Sequence, residues 1–416
     1  MAGIWLIGAY GAVSTTTLTG MAAIRAGKGP SIQSGIVTES PECDPIRSKF
    51  PLKDIAMGGS EVRFLDKNGY QASEKIWEEN YHFQREYLES GKTELSKIRA
   101  KKGTAINCGP GVDALGQLST LEADGLTLSE IVDQLRSDYK EFQNKAGEVC
   151  VINAASTEPH IPMIEAHNTL DGFNTLIEEN QQDKVTASML YAYAAIKQKI
   201  PYGNFTPSHG ASIPAIRELA VKEKIPHYGD DGKTGETLMK TTLAPMFKMR
   251  NLKILGWAGF NILGDDDGVT LSKDANKESK IESKDKAISS SIGYSPFSIT
   301  EIKYFPPLVD HKVAWDYISY RGFLGTKMAL QFTWHGIDSI LAAPVAIDVA
   351  RSLLFAKSRG EFGAVHELAF FFKHPIDEII GNTFIQYEMY LDWVNNGTKI
   401  DVKKFSTDAF KKYKQK

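Results

Sequence analysis

The stretch "MAGIWLIGAYGAVSTTTLTGMAAIRAG", residues 1–27, decides how the rest of the chain is read. Ile4 to Ile7 is a short apolar run, Gly8 and Gly11 follow it, and the segment from Ala12 ends on Gly27 as a C-terminal stop. Apolar run, glycine turn and helix in that order make a strand–turn–helix unit. The glycines let a backbone approach an anion closely. Ser14, Thr15 and Thr16 add hydroxyls near a helix N-terminus whose dipole favours negative charge. The spacing is GxxG followed by hydroxyls, not GxGxxG, so the stretch alone leaves two readings open: a dinucleotide site, or a tight packing turn with no ligand. No basic residues precede the apolar run, so it reads as a first strand and not as a signal peptide.

Further along, residues 127–145 form a second helix, with Thr127 and Glu130 at capping-box spacing and Ile131, Leu135, Tyr139 and Phe142 on one face. It leads into "EVCVINAAS", a continuous apolar run suited to a parallel strand buried on both faces. The segments "MLYAYAAI", "SIPAIRELAVKEKIP" and "TLMKTTLAPMFKMR" then alternate with short strand-like runs such as "IPHYG" and "LKILGWAGF". Such alternation predicts a doubly wound α/β parallel sheet of Rossmann type. From about residue 271 the composition shifts to Ser, Lys, Asp and Glu, and "ITEIKYFPPL" and "KMALQFTW" read as antiparallel strands. The expected organisation is a Rossmann-type domain from 1–237 plus 339–416, with an inserted α+β catalytic and oligomerisation domain over 238–338. The apolar stretch 339–356 is interrupted by Pro344, Asp348 and Arg351, so it is expected to be a buried helix and not a membrane span.

With 416 residues, 42% hydrophobic and 24% charged, the chain can bury two cores. Its net charge of -3 argues against a nucleic-acid backbone or an anionic membrane as main partner. Cys43, Cys108 and Cys150 are few, odd in number and widely spaced, which fits neither a disulfide framework nor a paired-Cys zinc site and points to a reducing cytoplasm.

Two more turns carry polar chemistry. "GDDGKTGET", 229–237, feeds a helix and offers backbone N–H groups and hydroxyls; its spacing is not that of a Walker loop. "NILGDDDG", 261–268, lacks the later bidentate Glu of an EF-hand. After it, "TLSKDANKESKIESKDK", 270–286, spaces lysines among acids, which by itself describes a solvated helix face.

Taken in order, these motifs resemble the myo-inositol-1-phosphate synthase family over nearly the whole chain. The family's "GDDxKSGQT" stands here as "GDDGKTGET", its "LGNNDG" as "ILGDDDG", its "SKEISK" as "SKIESK", its "IKYVP" as "IKYFP", its "EDSLLAAP" as "IDSILAAP" and its "WLKAP" as "FFKHP". The resemblance implies conversion of glucose 6-phosphate to inositol phosphate with bound NAD. The C5 hydroxyl is oxidised, an enolate forms, C6 attacks the C1 aldehyde and the hydride returns to C5. Because negative charge develops on oxygen at each stage, lysines that donate protons suit the site.

By that resemblance Lys280 and Lys373 serve the C5 oxygen, Lys284 and Lys303 serve the phosphate and the C1 oxygen, and Asp231, Asp310 and Asp338 orient the lysines or relay protons. Lys280 and Lys284 stand at i,i+4 and share a helix face. The phosphate is expected at Thr234, Gly235, Glu236, Thr237, Leu263 and Asp265. NAD is expected along Gly8, Gly11, Ala12, Val13 and Ser14, beside Ala155, Ser156, Thr157, Asp230 and Asp267, with Glu61 accepting from the adenosine ribose. A homotetramer is implied as well.

Three departures add carboxylates: Asp265 and Asp266 replace two asparagines, and Glu236 replaces a glutamine. They point away, pair with the lysines, or hold a divalent cation, for which Asp265 and Asp266 are the candidates. Two rival functions use the same binding parts: a plain NAD-dependent sugar-phosphate dehydrogenase, and a non-catalytic dinucleotide-binding protein.

Overall fold

The computed structural model describes residues 1–273, 288–377, 379 and 381–405. The opening apolar run becomes strand β1 (Ala2–Ile7), buried at every position. It lies inside a seven-stranded parallel sheet with β2 (Ile55–Glu61), β3 (Lys101–Lys102), β4 (Glu148–Asn153), β5 (Tyr202–Asn204), β6 (Pro226–Tyr228) and β11 (Gly363–Ala364). The order is β11-β6-β5-β4-β1-β2-β3, so the chain winds outward from β1 in both directions. Ile7 is in register with Ser60 on one side and Asn153 on the other. The crevice beyond these strand ends is the topological switch point where doubly wound sheets bind ligands.

The chain leaves β1 through Gly8 at φ +75, where a Cβ would sit 3.1 Å from Ala155 Cα, so the turn needs glycine on both counts. Helix α1 (Ala12–Arg25) follows, its residues Ser14 through Thr19 buried against the sheet. Helix α2 (Leu128–Ala146) starts with the expected capping box: Thr127 accepts from the Glu130 amide while Glu130 accepts from the Thr127 amide at 2.8 Å.

A second, four-stranded sheet of β7 (Lys253–Leu263), β8 (Phe297–Tyr304), β9 (His311–Arg321) and β10 (Lys327–Ile337) has the order β10-β9-β7-β8. Two expectations are corrected here. "LKILGWAGF" belongs to this sheet and not to the parallel one, and β8 runs parallel to β7, although β9 is antiparallel to β7 and β10. On one face Ile254, Trp257 and Ile318 pack against Ala244 and Phe247 of α3 (Gly235–Met249). The other face leaves Phe260, Ile262, Phe297, Ile299, Trp315 and Tyr317 exposed.

From β10 the chain enters α5 (Asp338–Ser358); the short helix α4 (Asp266–Leu271) lies between β7 and β8. Among the described residues α5 is the one helix long and apolar enough to cross a membrane, and 78% of its apolar window is buried in the protein. Its two interior charges explain that placement. Asp348 accepts from the amides of Val37 and Thr38 at 2.9 and 2.8 Å, and Arg351 pairs with Glu39 at 2.6 Å. Buried charges satisfied in this way pin the 37–39 segment onto the helix.

Candidate active site

At the C-terminal ends of β1 and β4 a cavity of about 410 Å³ opens between the two sheets. A smaller one of about 80 Å³ adjoins it beside β2, sharing Gly11, Arg63, Ala154, Ala155 and Ser156. Helix α1 points its N-terminus at the larger cavity: Gly11 is its N-cap, no side chain caps it, and its first turn carries no acid. Uncapped amides and a positive dipole end suit a pyrophosphate. The Ser14 hydroxyl, buried in the same turn, has no hydrogen-bond partner among the described residues.

Gly8 and Glu61 line the smaller cavity, and Gly11, Ala12, Val13, Ala155, Ser156, Thr157 and Asp267 line the larger. Glu61 accepts from the amides of Tyr10 and Val62 at 2.8 Å and of Arg63 at 3.2 Å. It therefore clamps the glycine turn to the end of β2 while facing the cavity. These features fit a dinucleotide lying across both cavities, with its adenosine end beside Glu61. Asp230 does not line the cavity: it accepts from Asn204 Nδ2 at 2.6 Å, and burial pushes its pKa up to about 7.

Two lysine–aspartate pairs face the larger cavity. Lys373 Nζ donates to Asp231 Oδ1 at 2.8 Å, with side-chain exposures of 9% and 4%. Backbone pairing sets this up: the Lys373 amide donates to Asp231 O at 2.7 Å and the Lys233 amide to Phe371 O at 2.8 Å, so the two segments run side by side. The second pair is Lys312 with Asp338, 3.1 Å apart. Gly336 is in register with Lys312 across β10 and β9, so the first residue of α5 emerges beside the Lys312 side chain. Burial lowers the Lys312 pKa, but Asp338, Asp267 and Asp265 outweigh it and hold the ammonium above its ordinary value.

Asp265 caps α4 through the Gly268 amide at 3.0 Å. Burial, then Asp267 and Asp338, push its carboxyl well above the ordinary value against the pull of Lys312. Asp310 stands behind this group and does not line the cavity. It accepts from the Ser339 hydroxyl and amide at the start of α5, and burial raises its pKa to about 7. Its own amide donates to Asn80 Oδ1 at 2.8 Å, and its carbonyl takes the Asp338 amide at 3.0 Å. Asp310 thus positions the Lys312–Asp338 pair.

Several sequence expectations are corrected. Lys303 does not enter the cavity: its side chain is 70% exposed on β8 and pairs with Glu301 at 3.1 Å, because strand alternation turns its neighbour Tyr304 inward instead. Glu236 does not line the cavity. It is buried against Lys240 Nζ at 2.8 Å and takes a hydrogen bond from Asn261 Nδ2, locking α3 to β7. Thr237 is buried and Leu263 packs with Leu271 and Ile302, so neither lines the cavity; from this group Thr234 and Asp265 do. Gly235, at φ +52, opens α3 beside Thr234 with no side-chain cap. Asp266 pairs with Arg63 at 3.0 Å. Among the described residues no group of three or more His, Cys, Asp or Glu side chains is arranged to hold a metal ion. Lys280 and Lys284 lie outside the described residues.

Sequence reading missed Lys312 and Arg63. Lys312 sits two residues after Asp310, and that closeness in sequence to a residue already singled out was the available signal. Among the described residues Arg63, Lys312 and Lys373 face Glu79, Asp231, Asp265, Asp266, Asp267 and Asp338 in the cavity. An anionic substrate there needs further cations.

Comparison with known proteins agrees with this geometry. Residues 2–394 match the family model described as myo-inositol-1-phosphate synthase, an NAD-binding family. Inositol-3-phosphate synthase 1 of Bacteroides thetaiotaomicron is 32% identical over 414 residues, covering 94% of this chain and 92% of the relative. Isozyme 1 of Arabidopsis thaliana is 30% identical over 61% of this chain, and the match spans about half of that longer protein, 52%. Among solved structures, a myo-inositol-1-phosphate synthase-related protein from Thermotoga maritima is 25% identical with a TM-score of 0.77, covering 96% of this chain and 99% of the other. The inositol-3-phosphate synthase of Caenorhabditis elegans has a TM-score of 0.84 at 22% identity, covering 94% and 85%, and shares the fold. The chain belongs to the myo-inositol-1-phosphate synthase family.

Proposed function

We propose that this protein converts D-glucose 6-phosphate to 1L-myo-inositol 1-phosphate. The observation that carries the reading is the pair of buried Lys–Asp contacts, Lys373–Asp231 and Lys312–Asp338, brought from distant parts of the chain to one cavity beside an uncapped helix N-terminus. A simple dehydrogenase needs one acid–base group at the carbon it oxidises. Ring closure needs a second cationic donor where the carbonyl oxygen becomes an alkoxide.

Bound NAD supplies a reversible hydride acceptor. The remaining work falls to side chains. Lys373 takes the proton of the C5 hydroxyl as it passes its own to Asp231, so no net charge is left on the substrate oxygen. With C5 a ketone, a C6 proton is acidic and passes to the Asp338 carboxylate, which restores the proton that Lys312 later gives up, while the enolate oxygen is held by ammonium groups. Lys312 takes the role that the resemblance implied for Lys303, donating to the C1 oxygen as C6 attacks, with Asp338 and Asp310 holding it in place. By resemblance Lys280 joins Lys373 at the C5 oxygen and Lys284 serves the phosphate, together with Thr234 and the amides that open α3.

The exposed aromatic and aliphatic face of β7, β8 and β9 supports assembly of copies of this chain, as a homotetramer, because a contiguous apolar face of this kind is unusual on a monomer. The free cysteines, two of them buried, suit a reducing cytoplasm. Incubating the protein with glucose 6-phosphate and NAD tests the function: inositol phosphate should form with no net NADH, whereas steadily rising NADH without cyclic product supports the dehydrogenase.

A further inference from the structure

Asp266 is one of the three departures from the family pattern, none of which the proposed chemistry uses. Its carboxylate accepts from Arg63 Nη2 at 3.0 Å. The contact joins two distant elements: Arg63 stands just past the end of β2, and Asp266 opens α4 beyond β7. The Arg63 side chain is 11% exposed and its guanidinium lies 5.3 Å from the Phe64 ring centroid, so the cation is held in place from its own side.

The position matters more than the pairing. Arg63 lines both the larger and the smaller cavity, as do Gly11, Ala154, Ala155 and Ser156. The boundary shared by the two cavities is thus made of the glycine turn, the β4 exit and Arg63. A dinucleotide that spans both cavities passes this boundary, and there the ion pair joins the parallel-sheet side to the second sheet.

We infer that the Arg63–Asp266 pair is a clasp that keeps the reduced dinucleotide in the site between the two hydride transfers. This rests on the proposed isomerisation, in which the hydride taken from C5 must return to C5. Escape of the reduced cofactor midway would strand the ketone. An ion pair with one exposed partner suits a clasp that must also open for loading, since such pairs are weak and screened by salt.

The competing role for Arg63 is direct binding of a cofactor phosphate, with Asp266 merely competing for it. Asp266→Asn separates the two. The test loads the full chain with NADH, chases it with excess NAD and follows the loss of bound-NADH fluorescence. A clasp makes Asp266→Asn release NADH about three- to tenfold faster, with Asp266→Glu close to wild type. Raising NaCl from about 50 mM to about 500 mM should speed release from the wild type and leave Asp266→Asn unchanged. Slower or unaltered release from Asp266→Asn overturns the inference, because freeing Arg63 would then have tightened or not affected binding. If that variant does not fold, salt-insensitive release from the wild type overturns it equally. The release assay uses no sugar phosphate, so absence of inositol phosphate from the wild type counts against the proposed function alone.

Discussion

Replacing Lys312 with methionine keeps the length of the side chain and removes its charge. In the wild type the ammonium is 3.1 Å from Asp338 Oδ2 and 12% exposed, and Asp265 and Asp267 also act on it. Without it, the three carboxylates of Asp265, Asp267 and Asp338 face one another with no ammonium between them. Leaving a buried charge unpaired costs about 3–5 kcal/mol, and a carboxylate escapes that cost by binding a proton. Lys312 lowers the pKa of both Asp265 and Asp310, so its loss moves both further up. For a carboxyl whose folded pKa lies above its unfolded value, the contribution to stability is complete below the unfolded value and is lost as pH rises through the folded one. The window opens at 3.8, the ordinary carboxyl value, and extends past the wild-type Asp310 value of about 7. Each additional proton held by the folded state steepens the fall by about 1.4 kcal/mol per pH unit. Lys312→Met should therefore lose stability to urea more steeply with rising pH than the wild type. Its kcat should drop by about 10²- to 10³-fold, as for loss of a preorganised donor to an oxyanion. A variant with kcat within about threefold of wild type and a superimposable stability profile would refute the role given to Lys312.

Lys303→Ala should leave kcat within about twofold of wild type, because an exposed strand lysine paired with Glu301 contributes little; a loss of about 10²-fold would return Lys303 to the site. Asp310→Asn removes a carboxyl held at about 7, so stability measured by urea denaturation should fall less from pH 4 to 7 than in the wild type; an unchanged slope would show that Asp310 is ionised throughout. Phe260→Asp combined with Trp315→Asp places charge on the exposed sheet face, and sedimentation should report a smaller species than wild type. An unaltered mass would place the assembly surface elsewhere.

The elements that position the cofactor were legible because local chemistry determines them. The glycine at φ +75 and the Thr127–Glu130 capping box each have a short-range cause written in adjacent residues. The second sheet was harder. Phe260 and Ile262 make β7 apolar on its exposed face as well as its core face, which imitates a parallel strand buried on both sides. Only pairing with β8 and β9, separated in sequence, distinguishes the two. Lys303 was named and Lys312 passed over for a related reason: both are strand lysines near a shared motif, and which faces the cavity depends on tertiary register. Glu236 is different, since its i,i+4 partner Lys240 was visible in the sequence and explains why this carboxylate turns away from the cavity. Asp266 could not be read at all without Arg63, which lies 203 residues earlier.

The most direct measurement follows deuterium placed at C5 of glucose 6-phosphate through a complete turnover of the wild-type protein with catalytic NAD, with product analysed by mass spectrometry. If the hydride leaves C5 and returns to the same carbon, the inositol phosphate keeps the label and NADH stays at the level of the enzyme. Deuterium lost from the product, or labelled NADH accumulating with no cyclic phosphate, would contradict isomerisation by this site.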